Sequence, residues 1–329
     1  MAQTYSQTAG NNAASLTPRR KRRWGGAAPY LFIFPWIFGF LVFTLGPLLF
    51  SLIISFFDWP IVGQVHFIGL GNYKSMFTDD PLFWKSLGVT LKFAALFVPF
   101  NIIVALGLAI LLNQNTRGTA IFRTAFYLPS VISGVALAMI WSWVYSGDYG
   151  ILNYFLSILG VQGPDWLNDT KWSMVAMVVA SLWGQGSMML VFLAGLKGIP
   201  KDLYESASLD GAGKIRQFFS VTVPMLSPTI LFNLITSIIA AFQQLTLALL
   251  LTGGGPMKAT YFYAMYMYEN AFKYYKMGYS AANAWFMFLI VLTLTFLVFK
   301  SSEAWVFYEG EMKRKPQKKM KAGGKGKTA

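Results

Sequence analysis

Six long apolar runs constrain this chain more than any other feature of its sequence. A run of about 18 or more predominantly apolar residues is long enough to cross a bilayer as a helix. The runs are residues 30–57, 93–112, 125–145, 173–196, 224–251 and 281–299. Charged residues make up 12% of the 329 residues, against about 25% in soluble domains. The pattern predicts an all-α polytopic membrane protein with six transmembrane helices.

The basic residues predict how the chain is oriented, because cytoplasmic segments carry an excess of Lys and Arg. Basic clusters stand at residues 19–23, before the first run, and at 313–327, after the last. With both termini inside, 20 basic residues fall in cytoplasmic segments and six in outer ones. We therefore predict a basic cytoplasmic tail at 1–28, a transmembrane domain at 29–300 and a second basic cytoplasmic tail at 301–329. Topology and contact with membrane lipids account for the net charge of +14, so no nucleic-acid partner is predicted.

The residue inventory argues against several kinds of site. The sequence has no Cys and a single histidine, His66, so no metal site is predicted. All thirteen acidic residues fall in loops or tails, whereas proton-coupled transporters and membrane-embedded enzymes place ionisable groups in the bilayer. Lys92 alone touches a run, and its stem is long enough to carry the ammonium to the headgroups. Because no phosphate-binding loop is present, energy for uphill transport must come from another polypeptide.

Uncharged polar residues in the last two runs are candidates for a solute path. Asn233, Thr236 and Gln243 are spaced three and seven residues apart, which favours one face of a helix, with Gln244 next to it. Asn283 lies in the sixth run. Such donors and acceptors suit a polyhydroxyl solute, but they are equally suited to hydrogen bonding between helices. Both interpretations stay open at this point.

A polar segment at residues 198–224 interrupts the apolar sequence. Pro200 suits a first helical position, and Asp202 and Glu205 suit the positive end of a helix. Gly211 is a natural helix stop, and the pattern resumes at Lys214 as a second helix that runs into the fifth span. The segment carries nearly balanced charges, which favours a partner's groove over a lipid surface.

This segment resembles the signature loop of ATP-binding-cassette (ABC) importer permeases, E-A-A-x-x-x-G-x(9)-I-x-L-P. The matching positions are Glu205, Ser206, Ala207, Gly211, Val221, Val223 and Pro224. Asp210, Gly211 and Ala212 resemble the D-G-A of the carbohydrate branch. Stretches such as "FIGLGNYKSMF", "FYLPSVISGVALAMIWSWVYSGDYGILN" and "LTGGGP" are similar to maltose- and glycerol-phosphate-type permeases, in the usual order.

The resemblance implies a type I importer in the bacterial plasma (inner) membrane. It implies a second homologous permease, a dimer of ATPase subunits and an extracytoplasmic solute-binding protein as partners, and a sugar or oligosaccharide as substrate. The chain itself is then no enzyme and binds no cofactor, since ATP and Mg²⁺ belong to the partner ATPase. The coupling helix falls at about residues 199–217. Its coupling residues are Glu205, Ser206, Ala207, Asp210, Gly211 and, further on, Pro224, while Asn233, Thr236, Gln243, Gln244 and Asn283 fall near the sugar path.

Two further alternatives remain at this stage. The chain is also compatible with a secondary sugar transporter or facilitator that works alone. The last outer loop is rich in Tyr and carries Lys258, Lys273 and Lys276 against Glu269 alone. This composition suits aromatic anchoring and contact with the binding protein, or a basic vestibule that attracts an acidic glycan.

Overall fold

The computed structural model describes residues 28–114 and 117–307, so the basic clusters at 19–23 and 313–327 lie outside the described residues. The described residues up to Phe50 and those from Ser51 form two separate units. The helices are α1 (Ala28–Phe40), α2 (Gly46–Ile54), α3 (Gly71–Thr78), α4 (Pro81–Leu112), α5 (Thr119–Tyr127), α6 (Gly134–Val144), α7 (Ile151–Ile158), α8 (Ser173–Trp183), α9 (Gly186–Gly198), α10 (Lys201–Leu209), α11 (Lys214–Gln217), α12 (Val223–Met225), α13 (Ser227–Phe242), α14 (Tyr263–Phe272) and α15 (Met277–Ser302). Strands β1 (Phe57–Asp58) and β2 (His66–Phe67) pair antiparallel. Shorter helical turns of other types occupy Leu41–Leu45, Leu128–Val131, Phe218–Thr222 and Ala248–Thr252.

Three helices in the described part of the chain are long and apolar enough to cross a membrane by themselves: Tyr30–Ile54, Pro81–Leu112 and Met277–Ser302. Three bent pairs pass the same test together: Thr119–Val131 with Gly134–Val144, Ser173–Trp183 with Gly186–Gly198, and Lys214–Met225 with Ser227–Phe242. The helical membrane fold expected from the apolar runs is confirmed. The expected number of six transmembrane helices is not confirmed: the described part of the chain has three spans, or up to six if each bent pair crosses once.

Two of the three bends have local causes. The pair around α5 and α6 turns by 104°, where Ser133 is extended and its Oγ accepts a bond from Ala136 N to start a new helix. The pair α8 and α9 turns by 54°. The last pair turns by 69° before Pro228, which has no N–H to donate to the Pro224 carbonyl, and Ser227 Oγ donates to it instead at 2.6 Å. These causes lie in single residues inside apolar runs, so hydropathy alone does not show them.

Helix α4 connects the two hydrophobic cores of the second unit. Its first half, with Phe83 and Phe93, belongs to the core shared with α8 and α14. Its second half, with Ala105 and Ala109, packs with α9 and α13 in the other core. The helix begins twelve residues before the predicted run, since Asp80 Oδ1 accepts a bond from Leu82 N at 2.9 Å and caps it. We call these two regions the α14 core and the α9 core.

The connection between Leu251 and Met277, expected to be a loop with aromatic anchors, is folded into the protein. Helix α14 packs on α4 and α15. Tyr261, Tyr263 and Tyr266 are at most 3% exposed. The Tyr263 hydroxyl donates to the Asn283 carbonyl at 3.0 Å. For these tyrosines the expected aromatic belt is therefore corrected, because their rings fill the α14 core and their hydroxyls bond inside it.

Candidate functional site

The segment from Lys201 to Thr222 forms a helix, a tight turn and a second helix, as the spacing predicts. Helix α10 ends at Leu209, Gly211 has a φ of +76°, and α11 starts at Lys214. That backbone conformation is open to glycine at little cost but strained for residues with a Cβ. The glycine of the signature therefore sits where the chain turns left-handed out of α10.

Two backbone hydrogen bonds close the end of α10 around this glycine. Ala212 N donates to the Ala207 carbonyl at 2.9 Å, and Gly211 N donates to the Ser208 carbonyl at 3.0 Å. This is the Schellman arrangement, in which a left-handed residue satisfies carbonyls that a helix end leaves unpaired. Ala207 is half-buried. The alanine and the glycine of the signature are thus two parts of one helix stop.

Side chains that the sequence reading did not single out as functional hold the second helix against the first. The Tyr204 hydroxyl and Thr222 Oγ1 lie 3.0 Å apart in a hydrogen bond. Gln217 Nε2 donates to Ser208 Oγ at 2.8 Å and to the Ala212 carbonyl at 2.9 Å. Gln217 and Thr222 are buried. The sequence does carry a signal for these residues, because they are polar and lie in a stretch that runs into an apolar span.

The surface of this segment combines charge with large apolar side chains. Glu205, Ser206 and Asp210 are exposed. Leu209 is 90% exposed and Ile215 77% exposed. We call the exposed residues of 201–219 the docking face. Exposed large apolar side chains set among charged and polar ones are typical of an interaction site. Pro224, the last residue of the signature, lies away from that face, half-buried in α12 before the 69° bend.

The predicted polar face of the fifth run is divided by the structure. Helix α13 ends at Phe242, so Gln243 and Gln244 lie in a break and do not continue the face of Asn233 and Thr236. Asn233 is 1% exposed, and the Thr236 hydroxyl donates back to the Phe232 carbonyl at 3.0 Å. The single-face expectation is therefore wrong for this run, because the helix that it needs stops first.

The break after α13 faces the break between α8 and α9. Gln244 Nε2 donates to Ser181 Oγ at 2.9 Å, and Gln185 Nε2 donates to the Ser181 carbonyl at 2.9 Å. That carbonyl is one of those that the end of α8 leaves without a helical partner. Gln243 is exposed. Uncharged amide groups are thus collected where two helices are interrupted. Such interruptions are how transport proteins build solute sites in a membrane.

Asn283 is brought together with the α14 core and not with these glutamines. It is fully buried, with its Oδ1 accepting from the Tyr263 hydroxyl at 3.0 Å and its Nδ2 donating to the Tyr279 carbonyl at 2.8 Å. In this conformation Asn283 fits the interpretation of hydrogen bonding within the bundle, Asn233 is buried with no hydrogen-bond partner at its Nδ2 among the described residues, and Gln243 is accessible. The role of all five residues in a solute path stays a prediction.

A cleft of about 670 Å³ opens beside the start of α7. Its lining joins aromatic rings to polar side chains, and Asp148 is the charged residue among them. Asn153 holds the walls together, since its Nδ2 donates to the Gly147 carbonyl at 3.2 Å and its Oδ1 accepts from Trp166 Nε1 at 2.7 Å. The lining residues are Trp143, Gly147, Asp148, Tyr149, Gly150, Ile151, Asn153, Tyr154, Ser157, Val161, Gln162 and Gly163. This size and mixture are usual for a small-molecule site.

Two lysines of the connection between Leu251 and Met277 interact with other side chains of the protein. Lys273 Nζ forms an ion pair with Glu269 at 3.0 Å, and Lys258 Nζ lies 4.6 Å from the centre of the Tyr261 ring. Burial raises the pKa of Glu269, but the bonds from the Tyr261 hydroxyl and Lys273 outweigh it and leave that pKa below its usual value. The carboxylate is therefore stabilised in its charged form.

Metal chemistry has no candidate ligand set in residues 28–114 and 117–307, where no group of three His, Asp or Glu side chains comes together. The acidic residues of the α10 segment are spread over an exposed surface. The candidate functional features in the described part of the chain are the exposed surface of the α10 segment, the helix breaks and the clefts.

Comparison with known proteins defines the class. Residues 101–306 match the family described as binding-protein-dependent transport system inner membrane component. The chain belongs to this family. It is a permease of an ABC transporter in the inner membrane, and a transport subunit rather than an enzyme. The expected resemblance to carbohydrate importer permeases is confirmed.

Particular relatives extend over most of the chain. The probable ABC transporter permease protein YesP of Bacillus subtilis is 42% identical and covers 92% of this chain and 99% of its own length. The sulfoquinovosyl glycerol transport system permease protein SmoG of Agrobacterium fabrum is 36% identical over 73% of this chain and 79% of its own. A chain of a bacterial alginate ABC transporter, solved with an alginate pentasaccharide-bound periplasmic protein, superposes with a TM-score of 0.74 at 23% identity, covering 86% of this chain and 95% of that one. This last likeness shows a shared fold.

Proposed function

We propose that this chain is one of two permease subunits in an ATP-driven, binding-protein-dependent importer of a sugar or oligosaccharide. The observation that carries the proposal is the docking face on α10 and α11, held in shape by the turn at Gly211 and by the bonds of Tyr204 and Gln217. It offers charged and apolar side chains to a partner. In this proposal the partner is an ATPase dimer, which binds the ATP and Mg²⁺.

The proposed topology has six crossings, three of them bent, and both termini in the cytoplasm. The excess of basic residues in the tails supports it. Residues 1–28 and 301–329 are then cytoplasmic tails around a permease domain at 29–300, and the coupling segment is at about 199–217. The cleft beside α7 and helix α14 face the side from which a solute-binding protein delivers its ligand.

Coupling follows from the bonds within the α10 segment. A displacement of α10 by a closing ATPase passes to Thr222 through the Tyr204 hydroxyl, and Thr222 immediately precedes α12. Movement of α12 changes the 69° angle between Lys214–Met225 and α13, whose end carries the break at Gln243 and Gln244. ATP binding thereby biases the solute path through a bonded and packed route.

A neutral oligosaccharide is the substrate class that the described clefts favour. The 670 Å³ cleft offers exposed Tyr149 and Tyr154 rings with Gln162, and Asp148 is the charged residue in its lining. Apolar faces with a few placed polar groups suit a sugar's alternating C–H and O–H surface. An acidic glycan is the second candidate, supported by the excess of lysine over acidic residues in 256–280.

The deciding experiment reconstitutes the chain with the ATPase, the sister permease and the binding protein in proteoliposomes. We expect sugar uptake that requires ATP and the binding protein. Uptake by the chain alone, without ATP, would instead establish the stand-alone facilitator. Neutral and uronic-acid oligosaccharides are then tested as competitors of uptake, which separates the two substrate classes. Equal competition by both would show that the transporter does not select its substrate by charge.

A further inference from the structure

A groove of about 340 Å³ lies at the start of α4 and is not used by the proposed transport mechanism. It is lined by Trp84, Lys85, Gly88, Val89, Lys92, Thr170, Met174 and Ala259. No acidic side chain is among these residues, although two ammonium groups are. Neither lysine has an ion-pair or hydrogen-bond partner in the part of the chain that the structure describes. The groove therefore has an unmatched positive charge.

The depth of Lys92 makes this charge unusual. Trp84 Nε1 donates to the Phe77 carbonyl at 3.2 Å, and its ring is 54% exposed, as is typical of an aromatic residue at a membrane interface. Lys92 follows Lys85 by seven residues, or about 10 Å along the helix axis. Its Cα thus lies deeper in the membrane than Lys85. A cation at such a depth needs an anionic partner or a path back to the headgroups.

Helix geometry directs both lysines to the same place. Residues 85, 88 and 92 share one face of α4, and side chains of a helix lean toward its N-terminus, so the stem of Lys92 runs back toward Lys85. Gly88 lies between them, and a Cβ there would have no atom within 4 Å. The absence of a side chain at this position leaves room for a ligand between the two ammonium groups.

The same face continues as an apolar stripe toward the end of α4. Ala95, Pro99 and Ile103 follow Lys92 by three, seven and eleven residues and are exposed on it, Ile103 by 63%. A pair of cations above a long exposed apolar stripe matches a phosphate headgroup joined to acyl chains. A soluble sugar acid matches only the upper half of this surface.

From this match we infer that the groove is a binding site for an anionic phospholipid. Its phosphate lies between Lys85 and Lys92 over Gly88, and its acyl chains follow the stripe from Ala95 to Ile103. The Trp84 ring borders the headgroup. Because Met174 of α8 and Ala259 of the connection before α14 line the other wall, the lipid also joins elements of the α14 core.

The test uses the full chain, purified in a neutral detergent, and measures Tm and native mass spectra during titration with phosphatidylglycerol or phosphatidylcholine. We expect phosphatidylglycerol to raise Tm and to give lipid adducts, with little effect of phosphatidylcholine. Substituting Lys85→Gln and Lys92→Gln together weakens the apparent affinity for phosphatidylglycerol about 25-fold, since each lysine near a membrane surface contributes about fivefold.

The matched control is Lys74→Gln with Lys276→Gln, two exposed lysines whose loss changes the charge equally. It keeps the affinity of the unchanged chain. Gly88→Leu keeps both lysines but fills the groove, and we expect it to weaken binding as well, whereas Lys85→Arg with Lys92→Arg retains it. Equal losses in the lysine pair and its control would overturn the site. A lysine-dependent shift with inorganic phosphate or trigalacturonate, and none with phosphatidylglycerol, would overturn the lipid as its occupant.

Discussion

At the scale of single residues, Gly211 determines the direction in which the chain leaves α10. Its φ of +76° is unfavourable by about 1–2 kcal/mol for an L-residue, and no neighbouring atom lies within 4 Å of its Cβ position. A side chain at this position would therefore strain the backbone and change the docking face, but it would not clash with other atoms of the protein. Gly213, two residues later, is equally open but has a φ of −67° that any residue adopts.

This pair of glycines gives a matched prediction. We expect Gly211→Arg to leave insertion and expression unchanged but to abolish substrate-stimulated ATPase activity in the reconstituted complex, because the turn and the docking face change together. Gly213→Arg introduces the same side chain without the backbone strain and should retain most of the stimulation. ATPase rates with and without loaded binding protein are the measurement. Unchanged stimulation in Gly211→Arg would contradict a docking role for the segment.

Glu269 gives a prediction on pH. Its pKa is lower in the folded protein than in the unfolded chain, so its charged form contributes stability that is present above the unfolded pKa. That contribution is lost as the pH falls through the lowered folded pKa. Glu269→Gln should therefore lower Tm at pH 7, and the difference from the unchanged protein should shrink below about pH 4. A difference that is constant from pH 7 to pH 3.5 would contradict this ionisation as its source.

At the scale of helices, the apolar runs predict where membrane helices lie but not that three of them bend. The run 125–145 contains a 104° turn, which depends on Ser133 as a local cap. The helix stop at Gly211 could be predicted from the sequence because the residues that end a helix are neighbours in the chain. The break at Gln243 and the bend before Gly186 were not, since they depend on contacts with residues far away in the chain. For the same reason Asn283, polar in an apolar run, proved to be a core residue.

The bend between α8 and α9 depends on the absence of a side chain at Gly186. A Cβ there would lie 2.6 Å from both the Phe126 carbonyl oxygen and the Tyr127 Cα. Both are backbone atoms, so relief requires that α5 and α9 move apart. We expect Gly186→Ala to cost about 1–3 kcal/mol, as overpacking does, and to lower Tm in detergent. Gly107→Ala, in α4 with no atom within 4 Å of its Cβ position, should leave Tm unchanged or raise it.

At the scale of the whole molecule, the structure separates an accessible candidate for the solute path, Gln243, from a buried residue of the bundle, Asn283. Gln243 is exposed in the break after α13, so Gln243→Ala should raise the KM for sugar uptake while Tm stays constant. Asn283→Ala should lower Tm instead, because the core loses the side-chain bonds to the Tyr263 hydroxyl and the Tyr279 carbonyl, each worth about 0.5–1.5 kcal/mol. Uptake kinetics and thermal unfolding of both variants check this division. A raised KM in Asn283→Ala with unchanged Tm would reverse the assignment.

The bonds that shape the α10 segment all begin and end between Tyr204 and Thr222. The surface that we propose for the ATPase contact is thus shaped by hydrogen bonds within a short piece of sequence, while the clefts and helix breaks are assembled from distant parts of the chain. Mutations can then change which solute is transported without changing the proposed contact with the ATPase. A permease built this way is suited to exchange of the segment between transporters as a cassette, so that one ATPase serves several of them.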